Sequence, residues 1–400
     1  MCGIVGYSGP KEPLPILIGG LSRLEYRGYD SAGIAVSDGS DITIEKKEGK
    51  LDVLKKHLAD KKIKGNIGIG HTRWATHGVP NDVNAHPHSD NSEDFAIIHN
   101  GIIENYAEMK DSLLKENYSF KSDTDTEVVA IELSKQWNGN LLETVVKVTK
   151  DLEGTYALVV TTTKQENTIV AGRMMSPLVL GVGEGEVFLA SDSAAILEHT
   201  NKMIFLENGD FVEIHDGNYK LFDADLNDIE REVQIIDWEV SEAEKSGHDH
   251  FMYKEILEQG EVIERTITGR LEEGSPEIPI TKEKAQKYEK IWIVACGTAY
   301  HAGLFGKDLF EKVLGVPVSV ELASEFRYRE PIIGENDLGI VISQSGETMD
   351  TIAATELLKE NGSHVLALVN VVGSSLARMA DSVFYLHVGP EIGVASTKAY

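Results

Sequence analysis

Short apolar runs separated by Gly, Asn, Asp and Pro recur through the first 235 or so residues. Runs of this length between turn-forming residues are typical of β-strands. We expect strands at 67–70, 95–99, 156–160 and 187–190. Helical stretches are interspersed among them, for instance at 126–136 and 141–152. Strands mixed with helices predict a layered α+β domain.

From about residue 251 the pattern changes, and predicted helices and strands alternate. After a helix at 251–268, we expect strands at 291–295, 317–323, 338–342, 364–370 and 383–388, with helices at 299–313 and 350–360. This alternation indicates βαβ units and a parallel sheet. The polar, acidic stretch 237–250 is predicted to be a linker, so the domains are expected at 2–236 and 251–400.

The last ten residues, 391–400, have the pattern of a loop in which Ser396 or Thr397 could cap a helix. No helical sequence follows them, although a doubly wound sheet needs helices on both faces. We therefore expect the second domain to be incomplete at its C-terminus or to be an unusually short variant.

Charge narrows the classes of function. The 400 residues include 65 acidic and 38 basic side chains, for a formal net charge of −27. A negative field repels phosphate backbones and anionic lipids, which disfavours nucleic-acid and membrane partners. There is neither a secretory signal nor an apolar run of about 18 residues, and the two cysteines cannot build a disulfide framework. We expect a cytoplasmic protein.

The residue after the initiator methionine is a cysteine. If Met1 is removed, Cys2 carries a free α-amine with a reference pKa of ~7.7–8.0 beside a thiol of reference pKa ~8.5. A thiol and a base on one residue are the components of an N-terminal nucleophile. The alternative is that Cys2 is an ordinary small residue before the strand at 4–5.

Four further blocks follow in order. They are YRGYDSAG at 26–33, HTRWATHG at 71–78, HNGIIEN at 99–105 and SDTDTE at 122–127. Together with MCGIVG at the start, they resemble the glutaminase domain of class II glutamine amidotransferases. The resemblance implies an α+β N-terminal nucleophile (Ntn) fold of layered sheets and helices.

The resemblance also implies roles for individual residues. The catalytic residues would be Cys2, Asn100 and Gly101, and the glutamine-binding residues would be Arg27, Arg73, Trp74, Thr76, His77 and Asp125. An amide and a glycine N–H suit an oxyanion hole. An arginine fork suits the α-carboxylate of glutamine, and an aspartate suits its ammonium group. Residues 73–80 would form a lid, with the tryptophan gating the ammonia route.

Each element has a simpler explanation when it is taken alone. Arg73 or Asp125 could belong to a surface ion pair, and Asn100-Gly101 could be a hairpin turn. The histidines at 77, 86, 88 and 99 could suggest a metal site, but no closed ligand spacing is present. We therefore expect no metal.

In the second half, hydroxyl-rich loops follow predicted strands at 296–303 and 343–348, and a third hydroxyl-rich element lies at 394–398. Such loops before helix N-termini bind anions, although plain helix capping is the alternative. No nucleotide-binding fingerprint is present.

The SQSGET motif resembles the sugar isomerase (SIS) domain, an α/β fold with a parallel sheet. The resemblance gives the phosphosugar-binding residues as Thr298, Ser343, Gln344, Ser345, Thr348, Val394 and Ser396. Ala299 stands where many relatives carry Ser, and Cys296 is expected to be a packed thiol.

The combined resemblance implies that L-glutamine is hydrolysed and that its ammonia travels internally to fructose 6-phosphate, giving glucosamine 6-phosphate and glutamate in hexosamine biosynthesis. It implies no metal or organic cofactor, and a homodimer through SIS domains. Relatives continue into a second SIS domain, so a glutaminase-only form and a sugar-phosphate sensor are the alternatives. A sensor has no use for Cys2 and Arg73, and the loops of other amidotransferases that bind ATP or phosphoribosyl pyrophosphate are missing.

Overall fold

The computed structural model of the chain describes residues 2–25, 28–74, 77–236, 247–268, 270 and 279–400. The chain divides into two compact units between residues 237 and 238. Most of the predicted linker, 237–246, lies outside the described residues.

The first unit is built on two antiparallel sheets. In the described residues, its strands are β1 Gly3–Ser8, β2 Ser31–Ser37, β3 Ile42–Glu48, β4 Ile67–Arg73, β5 His88–Ser89, β6 Phe95–Ile103, β7 Gly154–Thr162, β8 Thr168–Met174, β9 Val179–Val182, β10 Val187–Ala190, β11 Lys202–Phe205, β12 Phe211–His215, β13 Asn218–Phe222, β14 Asp228–Ile229 and β15 Gln234–Ile235. One sheet has the order β15-β11-β9-β10-β1-β4-β2-β3, and the other has the order β14-β13-β12-β8-β7-β6-β5.

Helices cover the outer faces of these sheets. They are α1 Pro13–Leu24, α2 Leu51–Leu58, α3 Tyr106–Lys115, α4 Asp125–Lys135 and α5 Leu141–Thr149. Because side chains alternate along a strand, Ile98 joins the core between the two sheets while its neighbour Ile97 packs with α4 and α5. Helix α1 lies close to β4, where a side chain on Gly68 would come within 2.8 Å of Leu17.

The second unit contains a parallel sheet. Its described strands are β16 Lys290–Ala295, β17 Val318–Leu322, β18 Asp337–Ser343, β19 His364–Val369 and β20 Ser382–Tyr385, in the order β17-β16-β18-β19-β20. Its helices are α6 Phe251–Ile267, α7 Lys282–Ala285, α8 Gly297–Leu314, α9 Ala323–Phe326, α10 Met349–Glu360 and α11 Ser375–Met379. Helix α10 packs Leu358 against Val341 on one face, and α8 packs Phe310 against Ile293 on the other.

The predicted fold class, an α+β domain of layered sheets followed by an α/β domain with a parallel sheet, is confirmed. Two elements end three residues earlier than predicted. The helix expected to reach 152 ends at Thr149, and the strand expected to reach 388 ends at Tyr385 because the chain then turns to bind the side chain of Asn370. No helix in the described part of the chain is long and apolar enough to cross a bilayer.

Candidate active site

Cys2 lies directly before β1, next to the end of β4. The backbone N–H of Trp74 donates to Cys2 Sγ at 3.2 Å, and the thiol lies 3.6 Å from the Trp74 carbonyl oxygen. Burial raises the pKa of the Cys2 thiol, and the Trp74 N–H and the charge of Arg73 offset only part of this rise. The resting thiol is therefore protonated at neutral pH, so a reaction at Sγ needs a base.

Asn100 reaches the same residue from the second sheet. Its Nδ2 donates to the Cys2 carbonyl oxygen at 2.9 Å, and its Oδ1 lies 3.0 Å from His71 Nε2. Asn100 sits inside β6, opposite Ala157, so the hairpin-turn alternative is wrong. An amide NH2 has two hydrogens, which leaves one for a second acceptor beside the cysteine.

Gly101 has a backbone conformation that requires glycine. Its φ is +127°, and a Cβ at this position would lie 2.0 Å from the Thr155 carbonyl oxygen. Any side chain would therefore displace the backbone of β7. The Gly101 peptide N–H follows Asn100 directly, so the two donors expected from sequence are adjacent in β6.

Arg73, the last residue of β4, is only 4% exposed, so the surface ion-pair alternative is wrong. Its Nη2 donates to the carbonyl oxygens of His77 and, at 3.2 Å, Gly78. Its Nη1 is buried with no hydrogen-bond partner in the described part of the chain. A buried guanidinium nitrogen usually has an acceptor, so this one suits a carboxylate or another anion.

Two of the other expected glutamine ligands also lie in this part of the domain. His77 stacks edge-on against Tyr106 at 5.1 Å, and its buried Nδ1 has no partner among the described residues. Trp74 is 45% exposed and lies edge-on to Tyr29 at 5.4 Å. Arg27 and Thr76 lie outside the described residues.

Asp125 is the first residue of α4 and is buried, which also contradicts a surface ion pair. Its Oδ2 accepts a hydrogen bond from the Ile103 N–H at 2.9 Å and lies 3.9 Å from His99 Nδ1. Because Ile103 ends β6, the aspartate is anchored to the strand that carries Asn100.

Four buried histidines lie behind these residues. His71 was not a predicted site residue, and His86, His88 and His99 were considered from sequence only for a metal site that the ligand spacing disfavours. The rings of His71 and His86 are 4.3 Å apart, and those of His86 and His88 are 4.6 Å apart. Thr126 Oγ1 bridges His86 Nε2 at 2.9 Å and His99 Nδ1 at 3.0 Å. Within the described residues, no group of three potential ligands could hold a metal ion. Burial lowers the pKa of all four histidines.

In the second unit, the last residue of β18 and the loop that leads to α10 contain four of the expected phosphosugar residues. Ser343 Oγ accepts from the Gly346 N–H at 3.0 Å and lies 3.2 Å from Thr348 Oγ1. Ser345 Oγ accepts from the Glu347 N–H at 3.2 Å. Thr348 occupies the N-cap position of α10, yet its side chain makes no capping bond, so plain capping does not explain this hydroxyl.

The remaining expected residues lie on neighbouring segments. Thr298 is in the first turn of α8, directly after β16, and β16 and β18 are parallel neighbours. Asn370, which no motif predicted as a site residue, links Gln344 to the C-terminal segment. Its N–H donates to the Gln344 carbonyl oxygen at 3.1 Å, and its Nδ2 donates to the Gly389 carbonyl oxygen at 2.7 Å.

The C-terminal loop contains Val394, which is 73% exposed, and Ser396, whose hydroxyl donates to Glu391 at 2.6 Å. This loop is bound to α6, because Glu255 accepts from the backbone N–H groups of Ile392 at 2.6 Å and Gly393 at 3.0 Å.

Cys296 precedes α8. Its Sγ lies 4.0 Å from Thr351 Oγ1 and packs against the core beneath α10. Burial raises the pKa of this thiol as well. Both cysteines are partly buried, but their neighbours differ. Cys2 accepts a hydrogen bond from the Trp74 N–H and is influenced by the positive charge of Arg73, whereas Cys296 packs against an apolar core.

Comparisons with known proteins agree with this organisation. A family model described as "Glutamine amidotransferase domain" matches residues 56–234, and one described as "SIS domain" matches residues 285–400. The solved structure of glutamine phosphoribosylpyrophosphate amidotransferase from B. subtilis, complexed with ADP and GMP, has a TM-score of 0.52 at 19% identity. That match covers 96% of this chain and 90% of the other, and it supports the Ntn-type fold alone.

Curated relatives are more similar in sequence. The glutamine–fructose-6-phosphate aminotransferase [isomerizing] of Caldanaerobacter subterraneus subsp. tengcongensis is 52% identical over 404 residues, covering all of this chain and 66% of the relative. That of Aquifex aeolicus is 48% identical over 400 residues, covering all of this chain and 67% of the relative. The chain thus spans about two thirds of the length of the curated relatives it matches. With a glutamine amidotransferase domain followed by a SIS domain, it belongs to the glutamine–fructose-6-phosphate aminotransferase (isomerizing) family.

Proposed function

We propose that this chain releases the amide nitrogen of L-glutamine at Cys2 and transfers it to fructose 6-phosphate, giving glutamate and glucosamine 6-phosphate. One observation carries the proposal: Cys2 contacts both Trp74, which follows the buried arginine at the end of β4, and the Asn100 amide of the other sheet. The names of the relatives favour this activity over the glutaminase-only and sensor alternatives.

The Cys2 thiol is the proposed nucleophile. With Met1 removed, the Cys2 α-amine, of reference pKa ~7.7–8.0, accepts the thiol proton as Sγ attacks the glutamine amide carbon. Because burial raises the pKa of the thiol, attack without such a base is disfavoured. The amine then gives the proton to the leaving ammonia, and water hydrolyses the γ-glutamyl thioester to glutamate.

The negative oxygen that forms during attack needs fixed donors. The free hydrogen of Asn100 Nδ2 and the Gly101 N–H supply them in this proposal, and donors of this type are often the largest contribution to catalysis. Asn100 already donates to the Cys2 carbonyl oxygen, so the amide is held beside the nucleophile before glutamine binds.

Glutamine is recognised through its charged end. Arg73 Nη1, which has no partner in the described ranges, suits the α-carboxylate, together with Thr76 and His77 Nδ1. The Asp125 carboxylate suits the α-ammonium. Arg27 and Trp74 complete the proposed pocket. Residues 73–80 act as a lid, which the two Arg73 bonds to the carbonyls of 77 and 78 support.

The phosphosugar site is proposed at the carboxyl ends of β16 and β18, where ligands bind in open α/β sheets. Its residues are Thr298, Ser343, Gln344, Ser345, Thr348, Val394 through its backbone, and Ser396. Hydroxyls and backbone N–H groups there would oppose the repulsion from a net charge of −27. Ala299 offers no hydroxyl to the sugar.

Transfer between the two sites is proposed to occur internally, because ammonia free in water at neutral pH is mostly converted to ammonium. We also propose a homodimer through SIS domains, a cytoplasmic location and no need for a metal or organic cofactor. The domain boundaries proposed from sequence are 2–236 and 251–400, joined by a linker at 237–250.

The two cysteines provide a matched test of the nucleophile. Cys2→Ala should abolish glutamate release from glutamine, and Cys296→Ala, which removes the other partly buried thiol, should leave it intact. Both variants are assayed as full chains with glutamine alone and with added fructose 6-phosphate. Hydrolysis retained in Cys2→Ala would refute the assignment.

The sugar site has a separate test. Ser345→Ala combined with Thr348→Ala should weaken fructose 6-phosphate binding in calorimetry and leave glutamate release without sugar unchanged. Binding equal to that of the wild type would contradict the proposed cradle. Glucosamine 6-phosphate formed from both substrates would establish the complete reaction, whereas glutamate and ammonia alone would contradict the transfer step.

A further inference from the structure

His71 is fully buried in β4, two residues before Arg73. Its Nε2 lies 3.0 Å from the His99 carbonyl oxygen and 3.0 Å from Asn100 Oδ1. No assigned role uses this side chain, although it contacts the amide proposed to stabilise the oxyanion.

The hydrogen-bond partners fix which atoms carry hydrogen. The Cys2 carbonyl oxygen can only accept, so the end of the Asn100 amide facing it must be the NH2 group. The opposite end, which faces His71, is then the carbonyl oxygen. Since both oxygens near His71 Nε2 are acceptors, Nε2 must carry the hydrogen and donate it.

The other ring nitrogen supports a neutral imidazole. His71 Nδ1 is buried and has no hydrogen-bond partner in the described part of the chain, so a second ring hydrogen would have no acceptor. Burial, the nearby His99 and the charge of Arg73 lower the pKa of His71 to about 3. His71 therefore stays a single donor throughout the neutral pH range.

We infer that His71 is a positioning residue whose Nε2–H holds the Asn100 carboxamide with its NH2 group toward Cys2. If the amide turned over, its oxygen would face the negative charge that develops during attack and would repel it. The inference rests on the proposed glutaminase function and assigns His71 a role within it.

The histidine cluster offers a matched control. His88 is also buried, lies in the same cluster and has a lowered pKa, but its Nε2 bonds Thr124 Oγ1 at 3.1 Å and not Asn100. A role that depended only on packing would be shared by both histidines. A role in orienting the amide belongs to His71 alone.

The test measures kcat and KM for glutamate release by full-length variants. His71→Leu should lower kcat roughly 10- to 100-fold, somewhat less than the effect of deleting an oxyanion donor. KM should stay within about twofold, because His71 does not contact glutamine in this account. His71→Gln, whose amide NH2 can take the place of Nε2–H, should keep kcat within about threefold of wild type. His88→Leu should keep kcat unchanged.

Several outcomes would overturn the inference. A folded His71→Leu with wild-type kcat would do so, and so would a folded His71→Gln as slow as His71→Leu. If His71→Leu does not fold, His71→Asn replaces it, because its side chain is too short to reach Asn100. His71→Asn should then have a low kcat while His71→Gln does not.

Adding His71→Leu to Asn100→Ala should cause no further loss of kcat, whereas an additive loss would contradict action through Asn100. If the wild-type chain releases no glutamate, the proposed function is wrong. If the wild type releases glutamate but the His71 variants behave differently from these expectations, only the role of His71 is wrong.

Discussion

Replacing Arg73 with lysine keeps the positive charge but removes the forked guanidinium. Nη2 donates to the carbonyl oxygens of His77 and Gly78, while Nη1 is buried with no partner among the residues that the structure describes. A lysine has one nitrogen and cannot bind the 77–78 segment and a carboxylate in the same geometry. Arg73→Lys therefore removes the directed hydrogen bond to the α-carboxylate of glutamine but keeps the positive charge of the site.

The size of the effect follows from the lost contact. A hydrogen bond to a charged group is worth about 1.5–3 kcal/mol. At 1.4 kcal/mol for each factor of ten, the KM for glutamine should rise roughly 10- to 150-fold. The kcat should change much less, because the arginine contacts the charged end of glutamine and not the reacting amide.

The assay is steady-state ammonia release from two amides. Glutamine carries the α-carboxylate, and 4-aminobutanamide lacks it. The wild type should strongly prefer glutamine, and Arg73→Lys should lose most of that preference. Arg23→Lys serves as the control, because Arg23 pairs with Glu198 elsewhere in the same domain and should leave both KM values unchanged.

An unchanged KM for glutamine in Arg73→Lys would refute the reasoning. A fall in kcat that is equal for the two amides would refute it as well, because the arginine would then act on the reacting centre or on folding.

Gly101, Glu255 and His71 provide three independent tests. Gly101→Ala should lower the free energy of unfolding by more than backbone strain alone, which costs about 1–3 kcal/mol, because the new Cβ also collides with β7. Gly139→Ala, also at positive φ but in open space, should lower Tm less. Equal Tm shifts of the two variants in calorimetry would contradict this prediction. Glu255 accepts hydrogen bonds from the backbone of the loop that carries Val394 and Ser396. Glu255→Gln removes the charge from these bonds, at a cost of about 1–2 kcal/mol, and should weaken fructose 6-phosphate binding about 5- to 30-fold in calorimetry. Glu261→Gln, at an exposed position, should not weaken it, and equal binding by the two variants would contradict this prediction. The free energy of unfolding should fall as pH drops from about 6.5 toward 3, because His71 binds a proton in the unfolded chain but not in the folded chain, where its pKa is about 3. In urea unfolding, His71→Gln should make the free energy of unfolding depend less on pH. A pH dependence equal to that of the wild type would contradict this prediction.

Local pattern predicted most elements, because helix and strand periodicity depend on neighbouring residues. Strand β10 and helix α10 lie within a residue of their expected bounds. The pairing of β1 between β10 and β4 was not predictable in the same way. That order depends on contacts between segments far apart in sequence, which periodicity does not encode.

The candidate site shows the same division. Motif blocks identified Cys2, Arg73 and Asn100, and the structure brings the segments that carry them together. The supporting residues were missed because their contacts are tertiary: Glu255 binds a backbone N–H 137 residues away, and His71 binds a side chain 29 residues away. Asn100-Gly101 resembles a turn in sequence, yet β6 continues through a glycine of positive φ.

The proposed activity depends most on Cys2 as the nucleophile at the mature N-terminus. The most direct measurement is peptide mapping by mass spectrometry after treatment with an electrophilic diazo-ketone analogue of glutamine. We predict one adduct on a peptide that begins at Cys2 without Met1, no adduct on Cys296, and protection by excess glutamine. Labelling at Cys296, or no adduct on Cys2, would contradict the assignment of Cys2 as the nucleophile.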